Sequence, residues 1–364
     1  MRVTVTQENL HKALSVVSRV AGSKASLPVL GNILLKTENN RLVLAATNLE
    51  IAITQNIGAK VISEGSITIP ARLLSDFIAN LPKTNIDLRV EGVKLHIEAN
   101  SYSSVINGLA SDEFPSLPAI ESLKKLTVDT SDFKRAISQT ILCASNDDTR
   151  PVLTGVLCHC FEGALYMAAT DGYRLAERKV VKTELEIHAL VPASTLSEVA
   201  RVIPEDCDSI EMTFDDDQVL YRIGDIELTS RLIEGKFPDY RQLIPNETEI
   251  HANLDRSDFV RITKIASLFA KESGGSVTIS ADSVKKILSI HSVASQLGEN
   301  TSEANAEVDQ DGTVSLNSRY LIDALGCFSD ASIQFGFSGK LAPCVITDNK
   351  SNSEYKHIVM PLRS

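Results

Sequence analysis

No stretch of the 364 residues approaches the apolar run of roughly 18 residues that a membrane helix requires. The opening MRVTVTQENL alternates polar and apolar residues and lacks the apolar region of a signal peptide. A soluble cytoplasmic protein without a membrane partner is expected. Paired CxxC spacing is also absent from the six cysteines, at 143, 158, 160, 207, 327 and 344, so reduced and mostly buried thiols are expected. Cys158-His159-Cys160 does not read as a zinc site, because neighbours on a strand point to opposite faces. There is no glycine-rich phosphate loop, no GxSxG and no HExxH, and the seven histidines are scattered. Asp215-Asp216-Asp217 falls between IEMTF and QVLYRI, where a hairpin turn would leave it in solvent. Neither catalytic residues nor a metal or cofactor is expected. Positive charge is in deficit too: 36 basic against 47 acidic residues leave −11, which in bulk argues against nucleic acid.

What is present is repetition. TVTQENLHKAL (4–14), TVDTSDFKRAI (127–137) and DRSDFVRI (255–262) place Leu10, Phe133 and Phe259 in register, at steps of 123 and 126. IPARLLSDFIANLP, VPASTLSEVARVIP and LNSRYLIDAL place Leu74, Leu196 and Leu321 at steps of 122 and 125. LVLAATNLEI and LYMAATDGYRL match at 123. Three units follow, with boundaries expected at 1–118, 119–245 and 246–364.

Apolar residues in the first unit recur at helical spacing twice, as Leu10, Leu14, Val17, Ala21 and as Leu73, Leu74, Phe77, Leu81. Elsewhere alternation prevails, as in ITIP, IDLRV and VKLHIEAN, with a hairpin turn at Glu91-Gly92. Each unit reads as strand, helix, strands, and then the same again, an α+β class. SDEFPSLPAI and EGKFPDYRQLIP follow the last strands of units one and two. Pro115 and Pro238 hold the preceding phenylalanine extended, so both runs read as linkers to the next unit.

Charge is unevenly spread. Helices expected at 7–21, 71–80, 131–143, 193–202, 256–271 and 318–326 hold eleven basic and six acidic residues. They form a net cationic set inside a net anionic chain, suited to a polyanion held close while polyanions at a distance are repelled. Ordinary variation among solvated helix faces is the competing explanation.

The triplicated unit, the Phe-Pro linkers, TDGYRLA (170–176), EGKFPDYRQLIP and the terminal VMPLR resemble the bacterial sliding clamp, the beta subunit of DNA polymerase III. The resemblance covers the whole chain. It implies three domains of the DNA clamp fold, each of two helices on antiparallel sheets, assembled as a head-to-tail homodimeric ring around duplex DNA of any sequence. It implies a non-catalytic processivity factor. By the same resemblance, Lys12, Arg19, Lys24, Arg72, Lys134, Arg135, Arg150, Arg201, Arg261 and Lys264 face the DNA.

Comparing the units with one another isolates a second feature, since Gly172, Tyr173 and Arg174 are gained only in unit two. An aromatic, a cation and an aliphatic side by side are residue types that dominate recognition surfaces, although a plain turn at Asp171-Gly172 also fits. The resemblance implies a peptide-binding groove at Leu153, Thr170, Gly172, Tyr173, Arg174, Leu175, Pro238, Leu243, Ile358, Val359, Met360 and Pro361. Its implied partners are the polymerase III catalytic subunit, the clamp loader, and repair polymerases, mismatch repair and ligase proteins bearing short peptide motifs. A dimer interface is implied at Val105 and Ile106 against Leu268 and Phe269. A repeat-built α+β enzyme, or a peptide adaptor that never encircles DNA, are the rival readings.

Overall fold

The computed structural model describes residues 1–22, 27–118, 120, 122, 124–348 and 353–362. Its α-helices are α1 (Gln7–Val17), α2 (Ala71–Ala79), α3 (Thr130–Thr140), α4 (Ala193–Val202), α5 (Arg256–Phe269) and α6 (Ser318–Gly326). Each helix starts on the residue after a strand ends, so one strand–helix step occurs six times among the described residues. The junction residue often caps: Asp255 accepts from the Ser257 and Asp258 amides, and Asn317 accepts from Arg319 and Tyr320. Every strand pairing among the described residues is antiparallel, giving the α+β architecture expected.

Several helices stop short of their expected ends. α1 closes at Val17, where the Ser18 amide bonds Leu14 O and the Val20 amide bonds Val17 O, so Arg19 lies beyond it. α3 passes into a 3-10 turn at Ile141–Cys143. α5 ends at Phe269, and left-handed Gly274 turns the chain away. In α2 the inward stripe is Ala71, Leu74 and Ile78; Leu73, one of the apolar residues at helical spacing, is 53% exposed. Leu74 and Ile78 lie one turn apart on the covered face, and Leu73 sits on the row beside them.

By compactness the chain divides into Met1–Thr130 with Glu198–Leu232, and Ser131–Ser197 with Ile233–Ser364. The first unit holds a five-stranded and an eight-stranded sheet; the second holds a twelve-stranded one. The middle repeat is shared between the two. Its strand Ile226–Arg231 pairs with Ile51–Gly58 of the first repeat, and its strand Arg174–Lys182 pairs with Tyr355–Val359 of the third. Continuous hydrogen-bonded sheets group residues more strongly than the repeat does.

Both linker phenylalanines are core plugs. Phe114 is extended at φ −76° and ψ 133°, as proline after it demands, and packs on Val29, Leu30 and Ala45. Phe237 packs in a cluster with Leu153, Leu157, Ala168, Leu175, Leu190, Tyr240 and Ile358. The cysteines are all free, and burial pushes Cys158 and Cys344 up to about 12, which keeps them unreactive thiols at neutral pH.

Candidate functional site

The hairpin between Ala164–Thr170 and Arg174–Lys182 is a self-bonded turn. Thr170 Oγ1 donates to Arg174 O at 2.7 Å and accepts from the Gly172 amide at 3.1 Å. Asp171 Oδ1 accepts from the Tyr173 and Arg174 amides at 2.9 and 3.0 Å. Gly172 sits at φ +92°, which favours a residue without a side chain. The result holds the Tyr173 side chain outward, 59% exposed.

Arg174 turns the other way. Its Nε bonds Asp171 at 3.1 Å, its Nη1 reaches Asp323 of α6 at 2.7 Å, and its guanidinium lies 4.6 Å from the Tyr320 ring centre. Burial opposes the charge, but the two carboxylates hold its pKa above the ordinary value.

Strand Tyr355–Val359 runs alongside, placing Val359 opposite Arg174 and Ile358 opposite Leu175. The Met360 amide then donates to Tyr173 O at 2.8 Å, and the Leu362 amide to Ser315 O at 2.8 Å, so Met360 and Pro361 stay half-buried beside the turn. Leu153, Leu175 and Ile358 form part of the buried floor with Phe237 and Tyr240. Pro238 and Leu243 belong to that anchored linker and remain exposed, Leu243 at 42%. Thr170 and Val359 are buried within the strands.

A polar clasp fixes the linker. Tyr240 donates to Glu177 Oε2 at 2.6 Å and lies 2.7 Å from His159 Nε2. Arg241 pairs with Glu177 at 3.0 Å and stacks on Phe161 at 3.6 Å. Burial, with the Arg241 charge nearby, pushes His159 down to about 4, so it is a neutral partner. Exposed Tyr173, Pro238 and Leu243 and half-buried Met360 and Pro361 thus stand on segments anchored to one buried apolar cluster, residue types suited to an extended peptide. Tyr240, Tyr320 and Asp323 are supporting residues that sequence reasoning missed, and Phe237 and Asp171 entered it only as linker and turn positions. The repeated Phe-Pro could have marked Phe237, whereas nothing marks Asp323, 149 residues from Arg174.

Of the basic residues named from sequence, Lys12, Arg19, Arg72, Arg135, Arg150, Arg261 and Lys264 are exposed, and Lys134 is half-buried. Lys24 lies outside the described residues. Arg201 has a different job: it pairs with Glu198 and donates to Ser15 O and Val16 O at 3.1 and 2.9 Å, capping the end of α1. Those bonds leave it poorly placed to hold a phosphate.

At the remaining named positions, Val105 and Leu268 are exposed at 52% and 59%, and Phe269 is half-buried. Ile106 points the other way, into the core at 6% exposure, because successive strand residues alternate. Strand Tyr102–Asn107 pairs only with Lys94–Ala99 among the described residues, so its outer edge is open. Residues 298–305 of strand Gly298–Val308 likewise pair on one side only. No three His, Cys, Asp or Glu side chains among the described residues are grouped to hold a metal ion. None of the described helices is long and apolar enough to cross a membrane.

Comparison with known proteins places this geometry. Residues 1–118, 127–239 and 241–363 match the N-terminal, central and C-terminal domains of the DNA polymerase III beta subunit. A beta sliding clamp of Synechocystis is 31% identical over 389 residues, covering all of this chain and 99% of that protein. One from Staphylococcus epidermidis is 29% identical, with both chains fully covered. The crystal structure of the DNA polymerase sliding clamp from Bacillus subtilis superposes with a TM-score of 0.96 at 25% identity, covering all of this chain and 99% of that one. That of the DNA polymerase III subunit beta from Pseudomonas aeruginosa gives 0.94 at 26%, both chains fully covered. Matched in order by all three domains, the chain belongs to the DNA polymerase III beta subunit family, the bacterial sliding clamps.

Proposed function

We propose that two copies of this chain close head to tail into a ring that encircles duplex DNA and slides along it in the cytoplasm. The ring tethers the polymerase III catalytic subunit and raises its processivity. The observation that carries this reading is the set of exposed cations on or beside the helices, Lys12, Arg19, Arg72, Arg135, Arg261 and Lys264, in a chain of net charge −11. Sparse cations give weak, exchangeable phosphate contacts, which position a duplex without reading its sequence. Topological enclosure supplies the retention that affinity does not.

Ring closure rests on the two open strand edges. An open edge is a template for another chain. Pairing Tyr102–Asn107 of one copy with residues 298–305 of the other would bring Val105 towards Leu268 and Phe269, with Ile106 contributing backbone only. Such a contact is heterologous and closes when the rotation per subunit permits. Partners dock their short peptide motifs on the Tyr173–Met360 groove: the polymerase, the clamp loader that opens the ring, repair polymerases, and mismatch repair and ligase proteins. Domain limits near 118 and 245 are part of this reading.

Retention on DNA is the test. Loaded protein should stay on closed circular DNA through moderate salt and be lost once that DNA is cut to a linear form. Equal retention on both would remove the enclosure idea.

A further inference from the structure

The turn that presents Tyr173 is built twice. A step of 123 maps Thr170, Asp171, Gly172, Tyr173 and Arg174 onto Thr47, Asn48, Leu49, Glu50 and Ile51. Each hydrogen bond recurs. Thr47 Oγ1 donates to Ile51 O at 2.9 Å and accepts from the Leu49 amide at 3.1 Å; Asn48 Oδ1 accepts from the Glu50 and Ile51 amides at 3.0 and 2.8 Å. The neighbouring strand is matched as well. Ser230 stands opposite Ile51, and the Arg231 amide donates to Glu50 O at 3.0 Å, as the Met360 amide does to Tyr173 O. Beneath lie Val29, Leu30, Ala45 and Phe114, where the other copy has Val152, Leu153, Ala168 and Phe237.

A cavity of about 140 Å³ opens at this place, bordered by Leu49, Glu50, Pro115, Pro118, Gln218 and Arg231. We infer that it is a second groove, which accepts a short extended peptide carrying a lysine or arginine beside an aliphatic residue. The proposal goes beyond the tethering groove; its peptide occupant rests on the reading of that groove as a peptide site, and its test is run apart from it.

Chemistry names the occupant. Leu49 takes φ +77° where the other copy has glycine, at a cost on the order of 1 kcal/mol, and remains 48% exposed. Folding gains little from an aliphatic side chain held there; a partner's aliphatic group gains a contact surface together with Pro115 and Pro118. The lining itself balances Glu50, which has no side-chain partner among the described residues, against Arg231. Beyond the lining, Asp216 and Asp217 are exposed in the hairpin that leads into Gln218 and add negative charge beside the cavity. With a chain charge of −11 and these two carboxylates beside the cavity, the surroundings attract a basic peptide. The other groove presents Tyr173 and Met360 at the positions of Glu50 and Arg231, so the two would select different sequences.

The test is a random nonapeptide phage library selected on full-length protein carrying Tyr173→Ala and Met360→Ala, which disables the first groove. Enriched sequences should place Lys or Arg next to Leu, Ile or Val. Synthesised and labelled, they should bind that same protein and lose about tenfold or more in affinity on adding Leu49→Gly or Glu50→Lys, equivalent to 1.4 kcal/mol. Leu49→Gly should leave the melting temperature unchanged or higher, since glycine relieves the turn. No enrichment, an acidic or purely aromatic consensus, or binding indifferent to both changes overturns the proposal. Because the first groove is disabled throughout, a failure here says nothing about it.

Discussion

Arg174 Nη1 lies 2.7 Å from Asp323 Oδ2, joining the turn that presents Tyr173 to helix α6 across 149 residues of chain. The guanidinium is largely buried, 13% exposed, so its orientation depends on the carboxylates that satisfy it. Asp323→Asn keeps shape but removes charge. It should weaken a polymerase-derived peptide roughly three- to tenfold, with a fall in unfolding free energy of about 1–2 kcal/mol. Isothermal titration and urea unfolding on the same preparation check both. Unchanged affinity would show that Arg174 needs no help from α6.

Tyr173→Ala with Met360→Ala removes the exposed and the half-buried side chain whose backbones are joined by the Met360 amide to Tyr173 O bond. Peptide binding should drop at least about a hundredfold, as expected for central anchor residues. Dimer mass by sedimentation should not change, because neither residue lies on an open strand edge.

Val105→Asp or Leu268→Asp should convert dimer to monomer at micromolar concentration, while circular dichroism stays native. Both side chains are already exposed in the single chain, so a charge there costs the fold little. Analytical ultracentrifugation reads the outcome, and an undisturbed dimer would reject the edge-pairing arrangement.

Stability should fall on mild acidification. Burial, helped by the Arg174 charge, pushes His357 down to about 3, against roughly 6.5 when unfolded. The unfolded chain therefore binds more protons below pH 6.5. Stability from this group is complete above that pH and is lost progressively as pH falls towards 3. At pH 5.5 the loss is about 1 kcal/mol from His357 alone, and His159 adds in the same direction. Urea midpoints at pH 7.0 and 5.5 measure it.

Much of the site was legible beforehand because its parts repeat. TDGYRL stands out against TNLEIA by comparison of the chain with itself, and the backbone confirms that both are the same turn. Partnerships with no periodic mark were not legible. Arg201 looks like any surface cation until its bonds to Ser15 O and Val16 O are seen. Ile106 and Leu73 show that a local pattern names candidates for burial but does not say which row faces inward.

By itself the sequence determined three copies of an α+β unit, the strand–helix steps and the two linkers. All of these follow from local periodicity and turn chemistry repeated along one chain. Tertiary structure decided which strands run on into which sheets, and so how the middle repeat is shared. It also decided that Phe114 and Phe237 anchor their linkers and that Arg174 is held from α6. The reason is that hydrogen-bonded edges and buried ion pairs join residues by proximity in space, and proximity across more than a hundred residues leaves no trace in local pattern.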